Sequence, residues 1–318
     1  NNNYILVASL SSLIVLVLVI FPDSLISLIY EVKSDIYNRL VVIYKNICSV
    51  INPDSQEAIN LCDQIESKFS SVSWQKVNDF KFDKVEDIDL VIAIGGDGTL
   101  LRAVSLAVKY DVPVLGINMG TVGFMTDIEG DKALSELEEY LNGVRIEERS
   151  MLEIEFNNSG NKNSYIALND IVIARGSSIS MIETITEIDN VHLATYRGDG
   201  IVISTATGST GYALALGGPV LDPKSSDYFI KPIATHMSQF GGAIVNSDSV
   251  CKITVSTRKD AQISIDGFIE HKIDNNDDFL IKISDTKAKF LRKNPSSYYW
   301  GTITEKLGIR KGNYISKN

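Results

Sequence analysis

Leu90-Val91-Ile92-Ala93-Ile94 runs without a break into Gly95-Gly96-Asp97-Gly98-Thr99, and Leu100 to Val108 follows with helical apolar spacing. A short, continuously apolar, β-branched run reads as a buried strand, and the period of the next segment reads as one face of a helix. Glycines at the junction let backbone N–H groups approach anionic oxygens, and the start of the helix adds its dipole. The stretch is therefore a strand, a phosphate-binding turn and a helix. It is neither the dinucleotide G-x-G-x-x-G pattern nor a Walker A loop, which needs Lys followed by Ser or Thr. Asp97 stands out within it. A carboxylate in a phosphate cradle is electrostatically unfavourable unless it binds a cation or takes a hydroxyl proton; an Asx-turn is the plain structural alternative.

Working outward from this unit, LVVIYKN at 40–46 reads as an earlier strand and Ser55 to Phe69 as a helix, while Val112 to Ile117 reads as a further strand. Met119 to Phe124 is the loop beyond it, and Lys132 to Leu141 a helix with a solvated charged face. This is a parallel, three-layer α/β unit. From Glu148 the pattern changes to short alternating strands: Leu152 to Phe156, Ser164 to Leu168, Asp170 to Ala174, Val191 to Tyr196, Ile201 to Ser204, Gly242 to Val245, Val250 to Val255, Gln262 to Ile265 and Phe279 to Ile283. Asn158 to Asn163 supplies a hairpin turn. Such spacing predicts a mostly antiparallel β-sandwich after a Rossmann-like α/β domain. Ala288 to Leu291 reads as a strand and Tyr298 to Leu307 as a helix ending at Gly308, a segment returning to the first domain. The expected divisions are 1–38, 39–146, 147–280 and 281–318.

The 318 residues fit two domains, with 44% hydrophobic residues for their cores. Thirty basic against 40 acidic residues give a net charge of −10, which argues against a broad nucleic-acid footprint and requires a local positive field for any anionic substrate. Cys48, Cys62 and Cys251 lack the number and spacing of a disulfide framework or zinc site. Reduced, cytoplasmic chemistry is the expectation, with no dedicated protein metal site. Tyr4 to Phe21 is an 18-residue uncharged stretch that nearly reaches membrane-spanning length. Membrane association depends on it alone; an extraneous leader, an anchor and a buried helix are its three readings.

Further small and hydroxylated residues gather at Ser204-Thr205-Ala206-Thr207-Gly208-Ser209-Thr210-Gly211-Tyr212. Such a loop presents hydroxyls and backbone donors to a phosphate or ribose, and Tyr212 a flat face to a ring; a plain glycine-rich turn is the alternative. Asp170 after Asn169, and Asp199 between Gly198 and Gly200, fall at expected strand ends. Either caps a turn or, with Asp97, holds ribose hydroxyls, an amide or hydrated magnesium.

Taken in order, GGDGTLLRA (95–103), GINMGTVGFMTD (116–127), ALNDIVI (167–173), GDGIVISTATGSTGYALALGGPV (198–220), PIATHMSQF (232–240), DG (266–267) and PSSYYWGTITEKLG (295–308) resemble the NAD kinase family over most of residues 40–310. The resemblance implies phosphoryl transfer from ATP, with magnesium, or from polyphosphate to the adenosine ribose 2′-hydroxyl of NAD. It implies Asp97 as base, with Gly95, Gly96, Gly98 and Thr99 framing phosphate. It further implies Phe124 and Met125 on the adenine side, Asn169 and Asp170 on ribose, and Thr207, Thr210, Gly211 and Tyr212 on adenine and ribose. By the same resemblance Asp199 approaches the nicotinamide side, in one reading from another subunit, Arg197 neighbours the long motif and offsets phosphate charge, and a homodimer or homotetramer is implied. Asp170 stands where the family commonly has glutamate, Ala206 where it has proline, Gly211 where it has alanine, and Thr121 where it has arginine or histidine. His192 and His271 have no part in the expected chemistry, and His236, within PIATHMSQF, reads as structural with a functional role as its alternative. A diacylglycerol- or sphingosine-type lipid kinase, which shares GGDGT, and a non-catalytic NAD or NADP sensor are the alternative readings.

Overall fold

The computed structural model describes residues 44–308 apart from 83, 121, 122, 159, 160, 237–240 and 296. The expected leader at 1–38 with its apolar stretch, Thr121, the tip of the hairpin at 159–160, the end of PIATHMSQF and residues 309–318 lie outside the described residues. Among the described residues, no helix is long and apolar enough to cross a membrane.

The first unit comprises β1 (Asn46–Ile51), α1 (Gln56–Lys68), β2 (Ser73–Val77), β3 (Leu90–Gly95), α2 (Asp97–Lys109), β4 (Val114–Asn118), the two-residue β5 (Ile128–Glu129) and α3 (Ala133–Leu141). Its strands are parallel in the order β2-β1-β3-β4, with β5 beside β4. Helix α1 starts where the Ser55 hydroxyl accepts the Ala58 N–H at 3.2 Å, and Ala58, Leu61, Cys62 and Ile65 turn its buried stripe to the sheet. The strand expected at 40–46 is instead centred later. Residues 40–43 are outside the described range, Lys45 is exposed, and Ile47 to Ile51 pair with Leu90 to Ile94. Strand β2 was not anticipated, because SWQKV lies at the sheet edge and buries only Val77 fully.

The second unit comprises β6 (Arg145–Asn158), β7 (Asn161–Ala167), β8 (Asp170–Arg175), β9 (Ile182–Ile188), β10 (Val191–Gly198), β11 (Gly200–Ser204), α4 (Tyr212–Ala215), β12 (Tyr228–Ile233), β13 (Ala243–Val245), β14 (Cys251–Ser256), β15 (Ala261–Ile265), β16 (Ile269–Ile273) and β17 (Asp278–Arg292), followed by α5 (Ser297–Lys306). An antiparallel sheet β13-β12-β11-β8-β15-β16 packs on the layer β10-β9-β14-β17-β6-β7 through inward residues such as Ile171, Ile203, Ile230, Ile253 and Ile281. Three of these strands were not anticipated: β9, β12 and β16. In β9 the inward positions include Thr184 and Thr186, so the alternation is not hydrophobic. In β12, Pro232 pairs with Ile201 on one side only, since the pairing with β13 ends at Ile230, and proline is tolerated at that open edge.

Two strands run through both units. The segments 279–283 and 288–291, expected as separate strands, form the single β17, which pairs with β6 on both sides of an irregularity between Ile283 and Lys287. Its early part pairs with β14, and Phe290 pairs in parallel with Val114 of β4. The expected divisions at 146/147 and 280/281 thus fall inside β6 and β17. A hydrophobic cluster crosses the same seam: Leu100, Ala103 and Ala107 of α2 pack with Met125, Met151, Leu168, Ala288 and Phe290. It anchors the glycine turn of the first unit against the residue preceding Asn169 in the second.

Candidate functional site

Strand β3 delivers Gly95 and Gly96 to the start of α2, where Gly96 is the N-cap and its carbonyl accepts the N–H groups of Thr99 at 3.0 Å and Leu100 at 3.1 Å. The turn is tight because a Cβ on Gly95 would lie 2.4 Å from Thr99 Oγ1. Thr99 is accordingly buried, whereas Gly96 and Gly98 face open space that a ligand's oxygens can enter. Asp97 occupies the first helical position, where a negative charge is favoured by the dipole. Its half-buried carboxylate accepts the Phe124 N–H at 3.0 Å through Oδ2 and the Met125 N–H at 3.2 Å through Oδ1. The two residues expected on the adenine side thus reach Asp97 through their backbone, and the Met125 side chain belongs to the core. Asn118, passed over in the sequence, shapes the same loop: its amide bonds Gly120 both ways and donates to Glu129 at 2.9 Å.

On the other side of the seam, Asp266 holds the Asn169-Asp170 turn. Its carboxylate accepts the N–H groups of Leu168, Asn169 and Asp170 at 2.8, 2.7 and 3.2 Å, and its own N–H donates to the Asp170 carbonyl at 3.0 Å. Burial raises the pKa of Asp266 to about 6, opposed by these three N–H groups. Burial, and next the Asp266 charge, push Asp170 up to about 7. The Asn169 Oδ1 atom is buried with no hydrogen-bond partner among the described residues, an acceptor free for a ligand hydroxyl. Asp266 escaped the assignment although its Asp-Gly pair, with φ of +50° and +73°, carries the turn signature of a β-hairpin.

The loop after β11 closes on this turn. The Asn169 carbonyl accepts the Thr205 N–H at 2.9 Å, the Thr205 hydroxyl donates to the Leu168 carbonyl at 2.6 Å, and Gly208 N–H donates to Thr205 Oγ1 at 3.0 Å. Gly208 lies so close that a Cβ there would sit 2.1 Å from the Asn169 carbonyl oxygen. Thr207 is buried, Thr210 bonds back to its carbonyl at 3.3 Å, and Gly211 starts the short α4. Tyr212 is 45% exposed, as a ring platform requires. Ala206 is buried, and its carbonyl accepts the Ser209 hydroxyl at 2.6 Å, so the position is fixed without proline. Arg102 joins the halves: its guanidinium lies 4.9 Å from the ring of Phe268, next to the Asp266-Gly267 pair.

Asp199 and Arg197 are not gathered here. Ser204 pairs with Asp170, whereas Gly200 pairs with Ala174, so Asp199 lies beyond the opposite end of β11, ~15 Å away along the strand. There its carboxylate accepts Arg175 Nε at 2.7 Å. Exposed Arg197 lies 3.9 Å from Glu183. His236 is exposed, His192 meets Thr195 at 3.1 Å, and His271 packs on Tyr165 and Phe156. Among the described residues, no three His, Cys, Asp or Glu residues gather as a metal site.

Sequence profiles of the ATP-NAD kinase N-terminal domain and of the ATP-NAD kinase C-terminal domain match residues 29–145 and 168–293. The NAD kinase of Dehalococcoides mccartyi strain CBDB1 is 36% identical over 279 residues, 85% of this chain and 97% of that protein. That of Chloroflexus aurantiacus strain J-10-fl is 35% identical over 225 residues, 70% of this chain and 82% of that protein. Among solved structures, yeast NADH kinase complexed with NADH superimposes with a TM-score of 0.75 at 21% identity, covering 86% of this chain and 90% of that one. An Archaeoglobus fulgidus NAD kinase in complex with ATP gives 0.70 at 23%, covering 83% and 100%. The structural likenesses carry the fold; with both profiles and the curated relatives, they establish that the chain belongs to the ATP-NAD kinase family, enzymes that phosphorylate NAD.

Proposed function

We propose that this NAD kinase carries out its reaction in the cleft between the start of α2 and the turn at Asn169, with Asp97 as the base. The observation that carries the reading is the Asp97 carboxylate, half-buried at a helix start and aimed by two backbone N–H groups. The proton of the adenosine ribose 2′-hydroxyl passes to Asp97, the 2′-oxygen bonds to the γ-phosphorus of ATP, and the bond from that phosphorus to the β–γ bridging oxygen breaks, giving NADP and ADP. Gly96, Gly98 and the first N–H groups of α2 face phosphate, and Gly95, packed on Thr99, frames the turn. Asn169 Oδ1 and Asp170 hold ribose hydroxyls, and Thr207, Thr210, Gly211 and Tyr212 flank adenine and ribose. Magnesium arrives as part of the Mg–ATP substrate, coordinated through phosphates and water; both oxygens of Asp97 already accept N–H bonds. Polyphosphate is the second donor to test.

The distance of Asp199 from this cleft supports its action on the nicotinamide half of a site in a second copy. The surface around it fits such a partner: exposed Ile179, Met181, Val191 and Leu193 lie on or beside the edge strand β10, and Arg197 borders the same hollow as Ile179 and Met181. A homodimer or homotetramer is the assembly expected, read by light scattering after gel filtration. Buried free thiols at Cys48, Cys62 and Cys251, each pushed up to about 12 by burial, accord with a reducing cytoplasmic setting. The reading as a whole is tested by product analysis after NAD or NADH is offered with Mg–ATP or polyphosphate; no 2′-phosphorylated product with any pair would overturn it. A lipid kinase is the outcome if a short-chain lipid alone is phosphorylated.

A further inference from the structure

The peptide unit between Gly123 and Phe124 is held from both sides. Its N–H donates to Asp97 Oδ2 at 3.0 Å, and its C=O accepts from Lys306 Nζ at 2.6 Å. In a trans peptide the N–H and C=O point in opposite directions, so one planar group lies between a carboxylate and an ammonium with its dipole aligned to both. Turning the peptide over would aim the carbonyl oxygen at the Asp97 carboxylate and the N–H at the ammonium, two repulsive contacts in place of two attractive ones.

Lys306 is suited to this placement. It lies in the last turn of α5, where the helix dipole favours a cation, and its ammonium stands 6.0 Å from the centre of the Phe124 ring. Burial lowers its pKa and Arg292 adds to that; Asp97, Glu129 and Asp127 act in the opposite sense. With Phe124 it borders a polar cavity of about 320 Å³ between α3, the start of β6 and α5. Helix α5 is fixed there by the Trp300 indole N–H, which donates to Asp222 at 3.2 Å. The C-terminal helix therefore reaches the Asp97 carboxylate through a single peptide group.

We propose that Lys306 is a positioning residue for NAD phosphorylation: it fixes the orientation of the Gly123–Phe124 peptide and thereby aims the Asp97 carboxylate. The inference rests on the reading of Asp97 as the base. Lys306 acts through the peptide and not through contact with either substrate. Its loss therefore acts on turnover rather than on NAD affinity, and arginine, which also donates from a fixed positive charge, substitutes for it in part.

The test compares Lys306→Met, Lys306→Arg and Asp97→Asn in the full chain, with kcat and KM for NAD at saturating Mg–ATP and with melting temperatures. A charge-assisted hydrogen bond lost next to the reacting group predicts that Lys306→Met lowers kcat about 10- to 100-fold. KM for NAD stays within about threefold of the parent, and Lys306→Arg recovers at least about a third of the lost turnover. Near-parental kcat in Lys306→Met while Asp97→Asn is inactive overturns the proposal and leaves the base intact. Equal loss in the Met and Arg variants, or a loss expressed wholly in KM, also overturns it. Near-parental turnover in Asp97→Asn overturns the base assignment itself, whatever the lysine variants do. Should Lys306→Met melt far below the parent, Lys306→Arg alone decides, since a helix-compatible cation with less than about a third of parental kcat at parental stability contradicts the role.

Discussion

Two aspartates perform the same local task in this molecule and differ in what lies around them. Asp97 accepts two backbone N–H groups from the 123–125 loop, and Asp266 accepts three from the Leu168–Asp170 turn. Asp266 is half-buried too, but its carboxyl sits within the turn it binds, where burial raises its pKa to about 6, so its bonds are spent on fixing that turn. Asp97 stands at a helix start beside Gly96 and Gly98, which face open space, so the same kind of bond holds a carboxylate next to an open surface. Two carboxylates bound to amides thus differ in what surrounds them, a turn in one case and an open helix start in the other, and the comparison yields four experiments of decreasing effect.

Asp97→Asn keeps the size, removes the proposed proton acceptor and turns an NH2 towards one of the two N–H donors, so kcat falls by about 10³-fold while the melting temperature falls by a few degrees at most. Steady-state NADP formation and a thermal melt check both halves, and a large loss of stability would mean that Asp97 is structural like Asp266. Asp266→Ala reverses the pattern. Three part-buried donors lose their acceptor, and folding stability drops by about 2 kcal/mol, seen in denaturant titration, with a raised KM for NAD because Asn169 and Asp170 lose their frame.

Asp170→Asn tests the charge that the Asp266 clamp places beside it. A carboxyl raised from 3.8 to about 7 by burial and by Asp266 stays protonated in the folded chain while the unfolded chain ionises. Its favourable contribution is therefore full below about pH 4, is lost as pH rises towards about 7, and changes no further above that. The melting temperature of the Asn variant should gain on the parent through that window by a few degrees and then stay level; a constant difference across pH would contradict it. Tyr212→Ala comes last. An exposed ring outside both clamps should raise KM for NAD by several-fold, worth about 1 kcal/mol, with no change in melting temperature.

How much of this was written in the chain follows from the range of each interaction. The strand–glycine–helix unit was legible because its grammar is local: β-branched residues, glycines and a 3.6-residue period lie within twenty positions. The same holds for the Ser55 cap and for the loop at 204–212, whose hydroxyls close on one another and on its neighbour turn. Strand β12 was missed because proline is disallowed only where both edges are paired, which sequence does not state. Strand β9 was missed because threonines fill its inward positions. The divisions placed at 146/147 and 280/281 follow changes of pattern along the chain, whereas β6 and β17 continue across them.

The sequence by itself determined the family, the two kinds of architecture, the glycine turn and the aspartate within it, since each depends on residue type and spacing. Tertiary structure alone decided which groups meet that aspartate. The amides of residues 124 and 125, the ammonium of Lys306 183 positions from Gly123, and the clamp of Asp266 on Asn169 97 positions away are brought in by packing. It also placed Asp199 away from the cleft, because the two ends of a strand are separated by its length. Hydrogen bonds between distant segments carry no local periodicity, and they are fixed only when the shared core of α2, Met125 and Leu168 has formed.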